Sequence, residues 1–559
     1  MDILSFAHYG YEGQIIKVEA DLRRGIPTID IVGLPDGAVR EARERMRAAV
    51  RNSGFEFPRE RILINLSPAD LKKEGSSFDL SIALAVLGTA NGMLQREESI
   101  RVMVLGELEL SGAVRPVKGV LAAVSRGLSS GIHNYIVPQE NSQEAEIRSE
   151  ARVFGVSNLN DAYFCLAALF NDETCDTPRN SSDTSQGFCD TPRNSSDTSQ
   201  GFCDTPRNFT NPRKYRIVWS QGEGNFSDVH GQQNLVRALQ IAAAGGHHLV
   251  AYGPPGSGKT LAIKRFSSLL PELDEETAVT VTRIHSLAGF PGRLGNVSES
   301  FCGISRLLTE PPFREPHPNA SLEGITGGGR LLRPGEISLA HGGILFLDEA
   351  AQFKASALQA LRTPLETGTV TVSRAGRTAQ FPARFQLLMA MNPCPCGNYA
   401  AKNRICTCAP DTVEKYWKKL TAPLLDRIDI RVHVENPEAE DLAKKEWTTT
   451  EELRKAVEWA RLIQWERNRK EKKEYTGMEW LNGNLKPEDI EQLCPLSSEA
   501  QEEFYQSMKT ASLSGRGGHG IIKVARTIAD MEKSKNILPK HLTEAASYRR
   551  WNGSVPDFL

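Results

Sequence analysis

The chain has 559 residues, 40% of them hydrophobic, a formal net charge of −2 and ten cysteines. Its length suits three or four domains with real apolar cores, and the near-balanced charge excludes a global basic footprint, so any nucleic-acid contact must be local. No run approaches the roughly 18 uninterrupted apolar residues of a membrane helix, and the first residues lack a basic segment followed by an apolar core. The expectation is therefore a cytoplasmic protein with no membrane partner, whose cysteines are thiols or metal ligands and not disulfides.

Residues 1–168 alternate strand-like and helix-like segments. Residues 13–20 alternate like a half-buried strand. Residues 36–54 predict a helix, with Asp36 able to cap it and Gly54 able to end it. Residues 61–66 and 102–108 read as strands, and 78–87 and 119–130 as helices. This is an α/β domain of its own.

Composition then shifts. Residues 175–188 recur identically as 189–202, and a third copy begins at Cys203 and breaks off after Asn208. The unit is polar with one aromatic, too little apolar surface to offset the entropy of ordering it. Residues 169–219 therefore read as a disordered linker grown by tandem duplication. Its evenly spaced cysteines also admit an array of metal ligands.

Residues 220–437 carry the richest chemistry. Gly253-Pro254-Pro255-Gly256-Ser257-Gly258-Lys259-Thr260 fits the phosphate-binding loop of nucleotide hydrolases. The glycines let backbone N–H groups curl around phosphates. Lys259 would reach the β- and γ-phosphates of ATP, and the Thr260 hydroxyl would hold Mg²⁺. An apolar strand at 248–252 precedes the loop and a helix at 261–266 follows, with its positive end toward the phosphates. The run 343–349 reads as a buried strand ending in Asp348 and Glu349. Asp348 would hold Mg²⁺ and Glu349 would polarise the attacking water. Another apolar strand, 385–392, ends in Asn392, which could orient that water or sense the γ-phosphate.

Between these strands, 368–378 reads as a hairpin with Arg374 and Arg377 at its tip. Two cations there would grip DNA phosphates without reading sequence. Cys394, Cys396, Cys406 and Cys408 form two C-x-C pairs separated by nine residues. Four thiolates so close suit a structural Zn²⁺ with no open position. Charged helical sequence over 438–559 suits a lid on the nucleotide site.

The order strand, phosphate loop, helix, acidic strand tip and Asn-tipped strand resembles the AAA+ class. Finer residues resemble its magnesium-chelatase-like branch: Pro312-Phe313-Arg314-Glu315-Pro316-His317, Gly327-Gly328-Gly329 and 333–343. With Asn392-Pro393-Cys394-Pro395-Cys396-Gly397, 424–429, Gly33-Leu34-Pro35-Asp36 and 70–75, the chain resembles the bacterial YifB/ComM family over all but the repeat linker. It departs from that family at Pro318, usually a second histidine, and at Ala350-Ala351-Gln352, usually Leu-Pro-Glu.

The resemblance implies a ring hexamer that moves along single-stranded or branched DNA and migrates junctions, notably in natural transformation. It implies Arg427 as the arginine finger for the neighbour's ATP, and Arg516 as the lid's own phosphate sensor, with Arg526 as the other candidate. The amino-terminal domain resembles the proteolytic domain of Lon, with 75–77 in place of its Gly-x-Ser nucleophile. The position of Lon's catalytic lysine is Leu121 here, so a non-proteolytic platform is expected; Lys118, three residues earlier, is the one route to an active protease. A chelatase-type motor and a protein remodeller are the competing classes. The former lacks a D-x-S-x-S pattern here, and the latter would want an aromatic at the hairpin tip.

Overall fold

The structure, a computed structural model, describes residues 2–171, 217–289 and 307–551, apart from 9, 74, 94–99, 223, 330–331, 375–376, 400–404, 438–439, 441–447, 471–476 and 511–513. Most of the repeat linker, 172–216, lies outside the described residues.

The amino-terminal domain is built on strands β1 (Asp2–Ala7), β2 (Gln14–Arg23), β3 (Ile29–Val32), β4 (Arg61–Ser67), β5 (Arg101–Val104), β6 (Asn134–Pro138) and β7 (Arg152–Val156). They form one sheet in the order β3-β4-β2-β1-β5-β6-β7. Helices α1 (Gly37–Asn52), α2 (Asp79–Ala90), α3 (Val120–Ser129) and α4 (Leu159–Asn171) pack on it. The expected cap forms: Asp36 accepts from the Val39 N–H at 2.9 Å, a bond whose loss typically costs about 1 kcal/mol. Helix α2 is buried on nearly every side, which explains why its sequence is mostly apolar, with the buried Asp79 paired to Arg45 and Ser81 bonded to the Phe78 carbonyl.

The central domain holds α5 (Gln233–Gly245), β8 (Leu249–Tyr252), α6 (Lys259–Lys264), α7 (Glu275–Ala288), β9 (Phe313–Arg314), β10 (Ile344–Leu347) and α8 (Arg362–Thr367). Then come β11 (Thr369–Arg374), β12 (Arg377–Pro382), β13 (Gln386–Met391) and β14 (Ile430–His433). Five of these strands make a parallel sheet in the order β9-β10-β13-β8-β14. Strand β13 therefore lies between the phosphate-loop strand β8 and the acidic strand β10. Its six residues are all buried, as a strand covered on both faces requires. The C-terminal ends of β8, β10 and β13 open on one edge, where open α/β sheets place ligands.

Strands β11 and β12 form the expected hairpin, and it is longer than its sequence suggested. The ladder runs from Arg374 opposite Arg377 to Thr369 opposite Pro382, because Ala379 and Phe381 continue the inward alternation beyond 378. Helices α9 (Thr450–Lys470), α10 (Ser498–Thr510), α11 (Gly515–Met531) and α12 (Pro539–Ser547) follow the sheet and share its core through Leu453, Val457, Ile521, Val524 and Leu542.

The amino-terminal domain packs on the central one through α3 and α7. The Ser286 hydroxyl donates to the buried Glu144 carboxylate at 2.5 Å and accepts from the Gly119 N–H at 3.1 Å. Arg283 lies 4.1 Å over the Tyr11 ring and donates to the Tyr11 carbonyl at 2.7 Å. Gly10, at φ +60°, meets β12: a Cβ there would stand 2.3 Å from that of Ala379. No helix among the described residues is long and apolar enough to cross a membrane.

Candidate functional site

The fully buried strand β8 delivers the phosphate loop at the middle of the sheet. Gly256 and Gly258 adopt φ of +81° and +86°, a region that a side chain would strain. Gly253 packs so closely on the residue after β14 that a Cβ would sit 2.0 Å from the Val434 carbonyl oxygen. Pro254, Pro255 and Ser257 complete the turn, with the Ser257 hydroxyl donating to the Pro254 carbonyl at 2.9 Å. The buried Lys259 ammonium donates to the carbonyls of Gly253 and Pro254 at 2.8 and 2.7 Å. Burial pulls its pKa down to about 8, the direction expected when a cation loses water.

Thr260 and Asp348, far apart in sequence, meet here: Thr260 Oγ1 donates to Asp348 Oδ2 at 3.1 Å. A hydroxyl and a carboxylate paired beside a lysine are the oxygen donors that Mg²⁺ takes while bound to nucleotide phosphates. The other Asp348 oxygen accepts from the Glu349 N–H at 2.9 Å. Glu349 has φ +51° and is exposed. A non-glycine residue in the left-handed region is held there at some cost, and the turn leaves its carboxylate open to water. Asn392 follows β13 directly, its carbonyl accepting from the Tyr416 hydroxyl at 3.1 Å.

The arginines form a second cluster. Arg427 Nη2 and Arg516 Nη2 both donate to Oε1 of Glu366 on α8, Arg516 at 2.6 Å. The Arg427 side chain is only 9% exposed, and its Nε is buried without a partner. Arg362, one turn before Glu366, adds positive charge. Two guanidiniums hold the Glu366 carboxyl below its ordinary range even though desolvation, the largest influence on it, pushes the other way. Arg526 is spent elsewhere. It is buried, bonded to Asp530 at 3.0 Å and to the carbonyls of Ser534 and Lys535 at 2.7 and 3.0 Å. That leaves Arg516 as the accessible arginine of the pair considered from sequence. Glu366 had no sequence signal, since a glutamate on a short helix is unremarkable.

At the hairpin, Arg374 is exposed and its contact with Glu323 is long, 4.0 Å. The backbone of Arg377 pairs with it; the tip, 375–376, lies outside the described residues. A second small ladder, Gly327–Gly328 with Arg333–Pro334, packs beside β11 and exposes Arg333. Its glycines carry only a family resemblance in sequence, with no sign of the ladder.

The four cysteines converge. Their sulfurs all lie within 4.8 Å of one another, with 394–396, 394–406 and 396–406 separations of 3.3, 3.7 and 3.6 Å. Sulfurs about 2.3 Å from a tetrahedral zinc are about 3.8 Å apart, so the residues fit the metal. N–H groups of Asn398 and Thr407 aimed at Cys396 draw its pKa down to about 6, while burial pushes Cys394 up to about 12.

In the amino-terminal domain, Ser76 Oγ donates to Glu107 at 2.5 Å. Leu121 is buried in the first turn of α3. The Lys118 ammonium reaches Gly289 at the end of α7, where it would meet a Cβ at 2.4 Å.

Three families matched in sequence cover most of the chain: Magnesium chelatase, subunit ChlI over residues 225–442, Subunit ChlI of Mg-chelatase over 18–141, and Magnesium chelatase, subunit ChlI C-terminal over 447–549. The uncharacterized protein YifB of Escherichia coli K12 is 36% identical over 97% of this chain and 96% of its own. Competence protein ComM of Haemophilus influenzae is 34% identical over 98% of this chain and 97% of its own. The chain belongs to the YifB/ComM family of magnesium-chelatase-like AAA+ proteins. The magnesium-chelatase 38 kDa subunit of Rhodobacter capsulatus is more distant, 26% identical over 30% of this chain and 50% of its own. YifB/ComM similarity thus extends through the amino-terminal domain, as the sequence motifs implied.

Proposed function

We propose that this chain is an ATP-hydrolysing ring motor acting on DNA, a hexameric helicase that promotes branch migration in recombination and natural transformation. The observation that carries the ATPase reading is the meeting of Thr260 and Asp348 at 3.1 Å beside the buried Lys259. Lys259 binds the phosphates, Thr260 and Asp348 hold Mg²⁺, and Glu349 polarises water, with Asn392 placing it. Bound Mg²⁺ supplies neutralisation of phosphate charge.

Arg427 serves the ATP of the neighbouring subunit. Arg516 was expected from sequence to sense its own subunit's phosphate. Its shared bond to Glu366 supports placing it with Arg427 against the same, neighbouring nucleotide. Helices α9 to α12 form the lid. The amino-terminal domain is a Lon-like platform without protease activity, a reading supported by Leu121 and by the engagement of Lys118 with Gly289 of the central domain. ATP, Mg²⁺ and one structural Zn²⁺ on Cys394, Cys396, Cys406 and Cys408 are the cofactors, and the protein works in the cytoplasm.

The DNA reading rests on the exposed Arg374, on the placement of Arg377 opposite it in the hairpin ladder, and on the name of the ComM relative. It is tested by ATP hydrolysis with no DNA, single strands, duplex and a four-way junction, at two salt concentrations. Stimulation by single-stranded or branched DNA is expected, and the Arg374→Ala/Arg377→Ala double variant should lose it while keeping basal turnover. Losing two phosphate contacts should also flatten the salt dependence of binding, by roughly 1.4 to 1.8 in the log–log slope. Turnover indifferent to every DNA would move the weight to a chelatase-type or protein-remodelling ATPase. Glu349→Gln should bind ATP normally and hydrolyse it about 10²- to 10⁴-fold more slowly, as read by single-turnover kinetics.

A further inference from the structure

We propose that the four-cysteine knuckle, closed by zinc, is a brace for the phosphate loop, so that metal occupancy sets nucleotide affinity. The proposal rests on the zinc reading and adds the coupling to it.

The knuckle touches the loop directly. Gly397, at φ +78°, closes the first C-x-C turn by donating its N–H to the Cys394 carbonyl at 2.9 Å. Its α-carbon lies against Pro255, where a Cβ would stand 2.6 Å from Cδ and 3.0 Å from Cγ. Pro255 is the third residue of the phosphate loop, so the knuckle backbone forms the wall against which the loop rests.

Both ends of the knuckle are also tied to the nucleotide edge of the sheet. The first cysteine pair follows Asn392, and Met391 accepts from the Gly253 N–H at 3.2 Å. The second pair leads straight into the helix Pro410–Lys418. That helix returns Tyr416 to the Asn392 carbonyl and Trp417 to the Pro393 carbonyl, at 3.1 and 2.8 Å. The Trp417 ring packs edge-on to Tyr252, the last residue of β8.

The two C-x-C halves have separate anchors, the first at Asn392 and Pro393 and the second at the helix Pro410–Lys418. A tetrahedral metal joins four sulfurs from those halves into one rigid unit, as structural zinc does elsewhere. Groups around a metal site commonly change metal affinity or activity by 10- to 100-fold when disturbed, and Pro255 lies against Gly397, the residue that follows the ligand Cys396.

The test uses the full-length protein purified without added metal. Zinc is counted by elemental analysis and by mercurial release into a chromogenic chelator, and Co²⁺ exchange reports sulfur ligation through thiolate charge-transfer bands. Nucleotide affinity is read with a fluorescent ATP analogue before and after zinc removal under reducing conditions. One zinc per chain is expected, with affinity falling about tenfold on removal and returning on zinc addition. Gly397→Val puts a side chain against Pro255 and strains the φ +78° turn; zinc counted in the same sample should stay at one per chain while affinity falls about tenfold, which separates the displaced loop from an opened knuckle.

A metal-free protein with tight nucleotide binding would overturn the zinc reading and the brace with it. Full zinc, with affinity unchanged both on removal and in Gly397→Val, would overturn the brace alone. Cys408→Ser should lose zinc and affinity together; if it fails to fold, the removal and Gly397→Val arms still decide.

Discussion

Lys259→Ala is expected to weaken ATP binding by about 100-fold or more, the loss of charge-assisted hydrogen bonds worth roughly 3 kcal/mol. The wild type should also show a pH limb that the variant lacks. Burial holds the free Lys259 near a pKa of about 8, and bound phosphates raise it again by supplying the missing negative charge. Below about 8 both states carry the proton and affinity is flat. Above it, binding must take up a proton, so affinity should fall by as much as about tenfold per pH unit. Calorimetry in two buffers of different ionisation enthalpy would read that uptake directly. Proton uptake persisting in Lys259→Ala would sink the assignment. The same group affects stability: its folded pKa lies below the unfolded value, so the penalty for burying the cation is relieved as pH rises through about 8.

Arg427→Ala should reduce turnover by on the order of 10³-fold while each subunit binds ATP as before. The guanidinium is held ready, nine-tenths buried and paired with Glu366 beside Arg516. Mixing supplies the sharper test. Glu349→Gln and Arg427→Ala subunits are each silent alone, yet a mixed ring regenerates interfaces where an intact Glu349 faces an intact Arg427. Activity should return to about a quarter of wild type in a random equimolar ring. A finger acting within its own subunit would leave the mixture silent, and near-normal turnover of Arg427→Ala alone would refute the role outright.

Much of the catalytic edge is legible in sequence because its parts are local. A phosphate loop is one contiguous turn, and an acidic strand tip is one apolar run with its end marked. Asp36 and its helix follow from side-chain chemistry within three residues. What sequence conceals is pairing. Nothing in residues 386–391 says that this strand inserts between β8 and β10, since parallel neighbours leave no trace in a buried run. The convergence of Arg427, Arg516 and Glu366 joins a loop, a distant helix start and α8, and no spacing rule reaches across them. By chain distance alone, Lys118 is a candidate for catalytic rescue. Its place against Gly289 depends on how two domains meet.

That meeting bears on force. Gly10 and Tyr11 touch the hairpin strand at Ala379 and the helix α7 at Arg283, two residues along the chain from Arg377. Elements in van der Waals contact cannot slide independently by more than a fraction of an ångström without opening a gap. Under the proposed function, a stroke of the hairpin along DNA would either peel it from the amino-terminal domain or carry that domain with it. In the second case the load borne by the strand is shared by the amino-terminal domain, and its mass and mounting become part of the stroke.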